Sequence, residues 1–314
     1  MRNHFVEGLV DPAASVGPQA ERAPKASPRS WAKEALFFFY LYCGWVQLRD
    51  AVRSLLGRSR VTVLYYHRIG ERDVLTRSID DFRSDIEYLK QNYDCMSLRE
   101  FSERLTANKP FRRRAVVVTF DDGYRDNFTE AAPVLTQAGV PATFFVATGF
   151  IETEREFPHD LRAQRYDSLS DDPESCFPKL RWDDLRAMQS SGFEIGSHTV
   201  NHTNLGTADR QTVTLELHDS LTALNEHLGE APRPFSFPWG KPEDINQFAI
   251  DEARRAGYYA AVSAYGGANS RDTDRFRIRR VDVGNGHLTG LAVRARIAGF
   301  DPEYFRIKRA GLEN

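Results

Sequence analysis

The chain has 314 residues, of which 41% are hydrophobic and 27% are charged, so it is not disordered, collagen-like or of low complexity. Its 42 basic and 44 acidic residues leave a formal net charge of −2. This balance argues against a dedicated nucleic-acid binder, which would carry a basic excess, so we expect no nucleic-acid partner. The length is sufficient for a buried core and allows either one large α/β domain or two smaller domains.

The first thirty residues are rich in proline, glycine and scattered charges, and we expect residues 1–30 to form a loose tail. They do not show a basic segment followed at once by an apolar stretch and a small-residue cleavage site. We therefore expect no secretory signal and a cytoplasmic protein.

An apolar run of 14 residues at 35–48, ALFFFYLYCGWVQL, predicts a helix within residues 31–58. This run is shorter than the about 20 residues that a spanning helix needs. Three interpretations stay open: a helix packed on the rest of the protein, an interfacial helix with peripheral contact at the inner membrane, or a membrane span. The second is favoured by residue types that lie at headgroup level in membranes, namely Trp31, Tyr40, Tyr42 and Trp45.

The three cysteines, Cys43, Cys95 and Cys176, are far apart in the sequence and odd in number. They provide neither a disulfide framework nor a CxxC metal site. We expect isolated, reduced thiols.

From residue 61 onward, short β-rich runs alternate with helical segments. Strands are predicted at residues 61–66, 115–120, 142–147, 193–196, 235–237, 258–262 and 276–283. Helices are predicted at residues 78–93, after a Ser97–Glu100 capping box, and at 126–138, 182–191, 209–228 and 242–257, with an inserted loop at 152–180. Such alternation implies parallel strands covered by helices. About seven units fit a distorted, incomplete (β/α) barrel better than an open sheet.

The motif TFDDGY at residues 119–124 places two neighbouring carboxylates at the end of a hydrophobic strand, where Gly123 lets the chain turn. In parallel α/β folds, active sites are built at the carboxyl ends of the strands. Adjacent carboxylates repel each other, and keeping both ionised usually takes a cation or a tight hydrogen bond. Asp121 and Asp122 are therefore candidate functional residues, although an ordinary Asp-Gly turn also explains the motif.

The motif SHTVNH at residues 197–202 again follows a predicted strand. Its histidines, His198 and His202, are four residues apart and can reach one metal ion from a helical turn or a folded loop. Imidazole pairs suit zinc and its transition-metal neighbours. With Asp122 they would supply three ligands and leave one position open, as a hydrolytic metal site requires.

The motif FSFPWG at residues 235–240 is a β-rich run broken by proline and glycine. It is either a simple turn or a rigid loop that directs a backbone N–H, that of Trp239, at a developing oxyanion.

Taken together and in this order, TFDDGY, SHTVNH and FPWG resemble the first three motifs of the NodB-like polysaccharide deacetylases, also called carbohydrate esterase family 4. VLYYHRIG at residues 63–70 resembles the start of their domain. The resemblance covers about residues 60–300 and leaves 301–314 as a C-terminal tail. It implies a distorted (β/α) barrel, a divalent metal that is usually zinc, and removal of acetyl groups from amino sugars or, in some members, from ester-linked sugars.

The resemblance also implies roles for the residues at matching positions. Asp121 would be the general base, and the backbone N–H of Trp239 would stabilise the oxyanion. The side chains of Trp182, Trp239 and Tyr124 are candidates for contact with the sugar. The implied metal ligands are Asp122, His198 and His202.

The sequence departs from the family pattern at two positions: the arginine that orients the catalytic aspartate, and the general acid. The family has an arginine shortly before the proline of the third motif, which orients the catalytic aspartate. Aligned on Pro238, that position holds Ser236, and Arg233 lies three residues earlier. The partner of Asp121 is therefore open.

The family's late leucine–histidine motif, which supplies a general acid, is not evident. His287 is either that acid or a polar loop residue. His67 is a second candidate, because it ends the first strand and should point into the barrel mouth. A missing acid would reduce the rate by about 10²–10⁴-fold.

The sequence thus predicts a metal-dependent hydrolase that removes acetyl groups from N-acetylated sugars of a polysaccharide or a lipid-linked oligosaccharide. Its partner would be an acetylated saccharide, and its oligomeric state is open. Two alternatives remain: a catalytically impaired, glycan-binding homologue, and a metal-dependent amidohydrolase that acts on a small non-sugar amide.

Overall fold

The computed structural model of the chain describes residues 28–70, 75–111, 113–160 and 177–311. Most of the expected tail at 1–30, part of the expected loop at 152–180, and Cys176 lie outside the described residues. Cys43 and Cys95 are free cysteines.

A parallel sheet forms the centre of the molecule. Seven of its strands follow the order β10-β1-β5-β6-β7-β8-β9, and β4 pairs with the start of β5, while β2 and β3 form a separate two-stranded ribbon. The strands are β1 (Val61–Tyr66), β2 (Arg68–Gly70), β3 (Thr76–Ser78), β4 (Asp94–Cys95), β5 (Ala115–Phe120), β6 (Ala142–Val146), β7 (Glu194–Ser197), β8 (Phe235–Ser236), β9 (Ala261–Val262) and β10 (Arg280–Asp282).

The two ends of this sheet nearly meet. Val262 of β9 forms a parallel bridge with Ile278, two residues before β10. The sheet is therefore a nearly closed barrel of seven parallel strands, which confirms the predicted fold class. Strands β9 and β10 are shorter than predicted, because the two ends of the sheet meet only at the bridge between Val262 and Ile278. Most residues of each predicted strand therefore have no partner in a β-ladder.

Helices cover the outside of the barrel and are fixed largely by polar caps. The Ser78, Ser97, Asp209 and Asn246 side chains each accept a backbone N–H three residues later. The helices are α1 (Pro28–Tyr42), α2 (Trp45–Leu55), α3 (Ile79–Asn92), α4 (Leu98–Thr106), α5 (Ala132–Ala138), α6 (Trp182–Ser190), α7 (Arg210–Leu228), α8 (Gln247–Ala256), α9 (Gly290–Ile297) and α10 (Pro302–Arg309).

Two predicted segments need correction. The helix expected over 242–257 is divided into a 3₁₀ turn (Pro242–Asp244) and α8, because Asn246 in an extended conformation caps the second part. The segment expected as a tail, 301–314, contains α10. This segment is anchored by the buried carboxylate of Asp301, which accepts the Gly267 N–H at 3.1 Å, and by the buried Ile307.

The two-residue period of the strands separates two cores. Leu64, Val118 and Phe120 point outward to the helices, whereas Val63 and Val117 fill the barrel interior. The same period places residues 119 and 121 on the interior side at the carboxyl end of the barrel, and residue 280 on the interior side at the level of Val63. Polar side chains at these positions therefore converge at one mouth.

The apolar run at 35–48 forms the end of α1 and the start of α2, which are joined at Cys43 and Gly44, with Gly44 at φ +86°. The hairpin packs on α9 through a small core that includes Leu41, Val46 and Ala295. Of the described helices, none is long and apolar enough to cross a membrane.

The aromatic stack between the barrel and its helices gives a stability prediction. Phe120 is fully buried and stacks on Phe144, with ring centroids 4.7 Å apart. We expect Phe120→Ala to lower the free energy of unfolding by about 3–5 kcal/mol in urea denaturation, because it leaves a cavity. The control Leu215→Ala, at a half-exposed leucine of α7, should change it by less than about 0.5 kcal/mol. Equal effects of the two changes would contradict this packing.

Candidate metal and catalytic site

Asp121 and Asp122 follow β5 at the start of a turn in which two successive residues have positive φ. Asp122 has φ +76° and Gly123 φ +88°, and a Cβ on Gly123 would lie 3.1 Å from the Val146 side chain. Glycine is therefore needed at 123 both for its conformation and for space. The turn directs both carboxylates into the mouth, where they are almost fully buried.

The histidine pair lies in the loop after β7, next to this turn. His198 Nδ1 lies 2.8 Å from the Ser236 backbone carbonyl, which fixes Nδ1 as the protonated nitrogen and leaves the Nε2 lone pair free. The buried carboxylate of Glu216 on α7 holds the loop by accepting the N–H groups of Val200 and Asn201, each at 2.8 Å. This clamp supports the strained backbone of His202, at φ +56°.

Asp122, His198 and His202 form a buried three-residue group whose ligand atoms lie within 4.8 Å of one another. Asp122 Oδ1 lies 3.4 Å from His198 Nε2 and 3.3 Å from His202 Nε2. Both Asp122 oxygens and His202 Nδ1 are buried without a hydrogen-bond partner. Buried polar atoms that converge in this way, with a carboxylate and two imidazoles as donors, fit a divalent metal of the zinc type.

His159 lies in the segment predicted as an inserted loop, where the sequence suggested no functional residue. Its ring borders the Asp122 carboxylate. Its Nε2 lies 3.2 Å from Asp122 Oδ2 and 2.9 Å from the Tyr124 hydroxyl. Because that hydroxyl donates to Asp160 Oδ2 at 2.7 Å, it accepts from His159. His159 Nε2 therefore carries a proton, which it donates to the Tyr124 hydroxyl, so this atom is not a metal ligand.

Burial raises the pKa of Asp122, but the surrounding imidazoles, His159 first, lower it well below its ordinary value. Burial lowers the pKa of His159, and the Asp122 and Asp160 carboxylates more than offset this and raise it. Asp160 is itself held by an ion pair with buried Arg68 at 2.8 Å. The site is thus built to keep Asp122 ionised.

The partner of Asp121, which the motif left open, is Arg280 on β10. Its Nη1 donates to Asp121 Oδ1 at 2.7 Å and its Nη2 to Oδ2 at 2.6 Å. Nη2 also donates to the Ser236 hydroxyl at 2.9 Å. Burial raises the pKa of Asp121, but Arg280, together with His198 and His67, holds it below its ordinary value. Arg233 instead donates to backbone carbonyls, among them that of Gly229.

Two further predicted residues lie at the mouth. Trp239, at φ +62°, is half-buried and places its ring 5.3 Å from that of His202. His67 is half-buried after β1, with its ring 6.4 Å from that of His159, and its backbone carbonyl accepts from the Asn127 side chain at 2.8 Å.

Two predicted residues are not placed where they could contact a sugar, and His287 occupies the second of its two predicted positions. Trp182 is 9% exposed and stacks on His227 at 3.9 Å, so its ring belongs to the core and is not a sugar platform. Tyr124 is fully buried and positions His159 instead of contacting a sugar. His287 is an exposed loop residue, and none of its described contacts joins it to the metal group.

Arg280 and His159 were missed by the motifs. Arg280 had one signal, since an arginine inside a predicted buried strand needs an internal acidic partner. His159 lay in a polar loop without a pattern, and only the small number of histidines would have drawn attention to it.

Comparison with known proteins agrees with this geometry. Residues 108–261, about half of the chain, match the family model described as polysaccharide deacetylase. The chain belongs to the polysaccharide deacetylase family. The family assigns it to the carbohydrate deacetylases, which are hydrolases and use a metal.

Individual relatives of this deacetylase are distant. It is 28% identical to YxkH of Bacillus subtilis over 76% of each chain. It is 24% identical to a poly-beta-1,6-N-acetyl-D-glucosamine N-deacetylase of Staphylococcus epidermidis, over 78% of this chain and 86% of that enzyme. The Streptococcus pyogenes deacetylase PplD, solved in complex with acetate, shares the fold with a TM-score of 0.62 and 22% identity, over 76% of this chain and 99% of that chain.

The three-residue group predicts a metal-binding experiment on the deacetylase. We expect His202→Ala to weaken Zn²⁺ binding by more than about 100-fold in calorimetric titration, because loss of a direct ligand should exceed the loss of a supporting residue. His287→Ala, at the exposed loop histidine, is the matched control and should leave the affinity unchanged. Similar affinities for both variants would place the metal elsewhere.

The Arg280–Asp121 pair predicts a pH-dependent loss of stability. Arg280→Met leaves a buried carboxylate without a cation, and we expect about 3–5 kcal/mol of destabilisation at neutral pH in urea denaturation. In the wild type, the lowered pKa of Asp121 adds stability above the ordinary aspartate pKa, and this stability is lost as the pH falls. In Arg280→Met we expect the pKa of Asp121 to rise, so that acid protonates this carboxylate and removes the unpaired charge. The difference in stability between the variant and the wild type should therefore shrink in acid.

The double variant Asp121→Asn/Arg280→Met separates this charge effect from lost packing. It carries no buried charge at either position and should be more stable at neutral pH than Arg280→Met alone. A double variant as unstable as the single one, at every pH, would show that Arg280 contributes only volume.

Proposed function

We propose that this protein is a metal-dependent N-deacetylase of an amino-sugar polysaccharide, with zinc as its metal. The observation that carries the proposal is the buried group Asp122, His198 and His202 beside an aspartate, Asp121, that is oriented by Arg280 at the open end of the barrel. A carboxylate next to a three-ligand site is the arrangement used in metal-assisted hydrolysis of an amide.

Each side chain has a distinct part in this proposal. When bound, a divalent metal polarises the acetyl carbonyl and lowers the pKa of a water molecule towards about 7. Asp121, kept ionised and fixed in orientation by two hydrogen bonds from Arg280, accepts the proton of the attacking water. The Trp239 backbone N–H stabilises the oxyanion. The Trp239 ring, half-buried at the mouth, is the aromatic platform for the sugar.

His67 is our choice for the general acid that protonates the leaving amine. It is half-buried at the mouth, and its ring lies 6.4 Å from that of His159, which borders Asp122. His287, the other candidate, is exposed in the loop that follows β10. This placement supports His67 over His287.

For the substrate, poly-β-1,6-N-acetylglucosamine is the first polymer to test, because a relative that aligns over most of both chains is named for it. We expect the full chain with Zn²⁺ to release acetate from β-1,6-linked N-acetylglucosamine oligomers. Asp121→Asn should lower the rate by about 10²–10⁴-fold, and His67→Gln by a similar factor. Asp183→Asn, at an exposed aspartate, is the matched control.

Chelation should abolish acetate release, and added Zn²⁺ should restore it. Release from a small N-acetyl amide but not from oligomers would replace the polysaccharide with a small amide. Oligomer binding without acetate release would favour the impaired, glycan-binding homologue. Full activity in Asp121→Asn would overturn the proposed mechanism.

A further inference from the structure

The outer face of the α1–α2 hairpin is where the described part of the molecule exposes its large apolar side chains. Of the twelve such side chains that are exposed, ten lie within residues 31–56 and two elsewhere. Scattered exposed apolar residues are ordinary on a soluble protein, whereas a contiguous set marks a docking surface. The hairpin is therefore the surface that requires an explanation.

Helix α2 is amphipathic with its apolar stripe turned away from the protein. Trp45, Leu48, Val52 and Leu55 follow helical spacing along one face, and they are 60%, 59%, 47% and 88% exposed. The inward face carries the buried Val46 and Arg49, which donates to the Ala298 carbonyl at 2.8 Å. A surface helix of a soluble protein has the opposite orientation.

Helix α1 is apolar on both of its sides. Phe37 and Leu41 pack in the small core against α9, while Phe38, Phe39 and Tyr42 on the outer side are 59%, 68% and 55% exposed. A helix that is hydrophobic all round is normally buried. The outer side of α1 therefore needs a second apolar medium.

Positive charge borders this apolar face. A cavity of about 320 Å³ lies beside α2 and is lined by six cationic and two acidic side chains. The cationic residues are Arg49, Arg53, Arg60, Arg114, Arg296 and Lys308. Burial and the neighbouring guanidiniums of Arg60 and Arg49 lower the pKa of Arg53. The half-exposed ring of Phe305 lies at the same cavity.

We propose that the α1–α2 hairpin and this basic cavity dock the protein peripherally on a bilayer that contains anionic phospholipid. The exposed aromatic and aliphatic side chains would enter the boundary between headgroups and acyl chains, and the cavity would receive a headgroup phosphate. Aromatic residues beside basic ones are the composition of such interfacial surfaces. In a symmetric dimer the same patch would meet itself and bring two sets of six cations together, which disfavours a second copy as the occupant.

The basic cavity of the docking surface lies at the opposite end of the barrel from the metal group. Arg60 and Arg114, which line the cavity, immediately precede β1 and β5, whereas Asp121 follows β5. Helix α1 runs from this end along α9 as far as Thr289, whose hydroxyl donates to Glu34 at 2.7 Å. A headgroup phosphate held in the cavity would therefore not cover the mouth. The proposal is independent of the proposed deacetylase activity and is tested without it.

The test is co-sedimentation of the full chain with vesicles of phosphatidylglycerol mixed with phosphatidylcholine, or of phosphatidylcholine alone. We expect binding to the anionic vesicles and much less to the neutral ones. Phe38→Ser/Phe39→Ser/Trp45→Ser should weaken binding by about tenfold or more for each aromatic removed. The matched control Leu215→Ser, at an exposed leucine outside the hairpin, should bind as the wild type does.

A charge pair of variants tests the cavity. Arg60→Glu/Lys308→Glu should bind anionic vesicles at least about tenfold more weakly, whereas Arg83→Glu, at an exposed arginine of α3, should not. Inorganic phosphate is then added as a competitor. Unchanged vesicle binding supports lipid as the ligand, whereas full displacement from the vesicles overturns the proposal and identifies a free anion as the ligand. Thermal unfolding of each variant checks that its fold is intact.

Light scattering measures the oligomeric state of the wild type and of the aromatic triple variant. If the wild type is a dimer and the triple variant a monomer, the hairpin face binds a second copy of the chain. If the wild type binds neither type of vesicle, the proposal is overturned. Equal vesicle binding by the wild type and the folded triple variant also overturns it.

Discussion

The buried ion pair between Arg280 and Asp121 is the interaction on which the catalytic end of the barrel depends. A guanidinium has five N–H donors, and all five are used here. Besides the two bonds to Asp121, they reach the Ser263 carbonyl and the hydroxyls of Thr119 and Ser236. An ion pair without water is stable only when its remaining hydrogen-bonding groups are satisfied in this way. The pair consequently links four segments of the sheet, so the orientation of Asp121 and the near closure of the barrel depend on the same contacts.

Backbone strain is concentrated around the same mouth. Among the described residues, six non-glycine residues have positive φ, and four of them are Asp122, Thr199, His202 and Trp239. Such conformations cost about 1–3 kcal/mol each and persist only where the surroundings enforce them. Here the enforcing contacts are the Glu216 clamp on the histidine loop and the close packing at Gly123. The strain places three metal-type ligands from two loops around one point, which regular strands would not achieve.

The sequence predicted the barrel and its metal-type group because both are encoded locally. Strand and helix periods are visible in short windows, and Asp122, His198 and His202 each follow a strand whose carboxyl end must lie at the mouth. Arg280 and His159 were not predicted, because their importance depends on which distant segments become neighbours. Arg280 reaches Asp121 only because β10 lies beside β1, and β1 beside β5. Trp182 and Tyr124 were misplaced for the converse reason, since an aromatic side chain near a motif is as suitable for the core as for a sugar.

The distance between the proposed membrane-binding cavity and the barrel mouth limits which substrates could reach the mouth. A six-residue strand is about 20 Å long, so the basic cavity and the mouth are separated by about the height of the barrel. Under the proposed docking, an acetyl group close to the headgroup bound in the cavity would lie at the wrong end of the protein. A long polysaccharide that extends away from the membrane can reach the mouth without moving the hairpin. The placement of Arg60 and Arg114 at one end and Asp121 at the other therefore favours a polymer over a short lipid-linked saccharide.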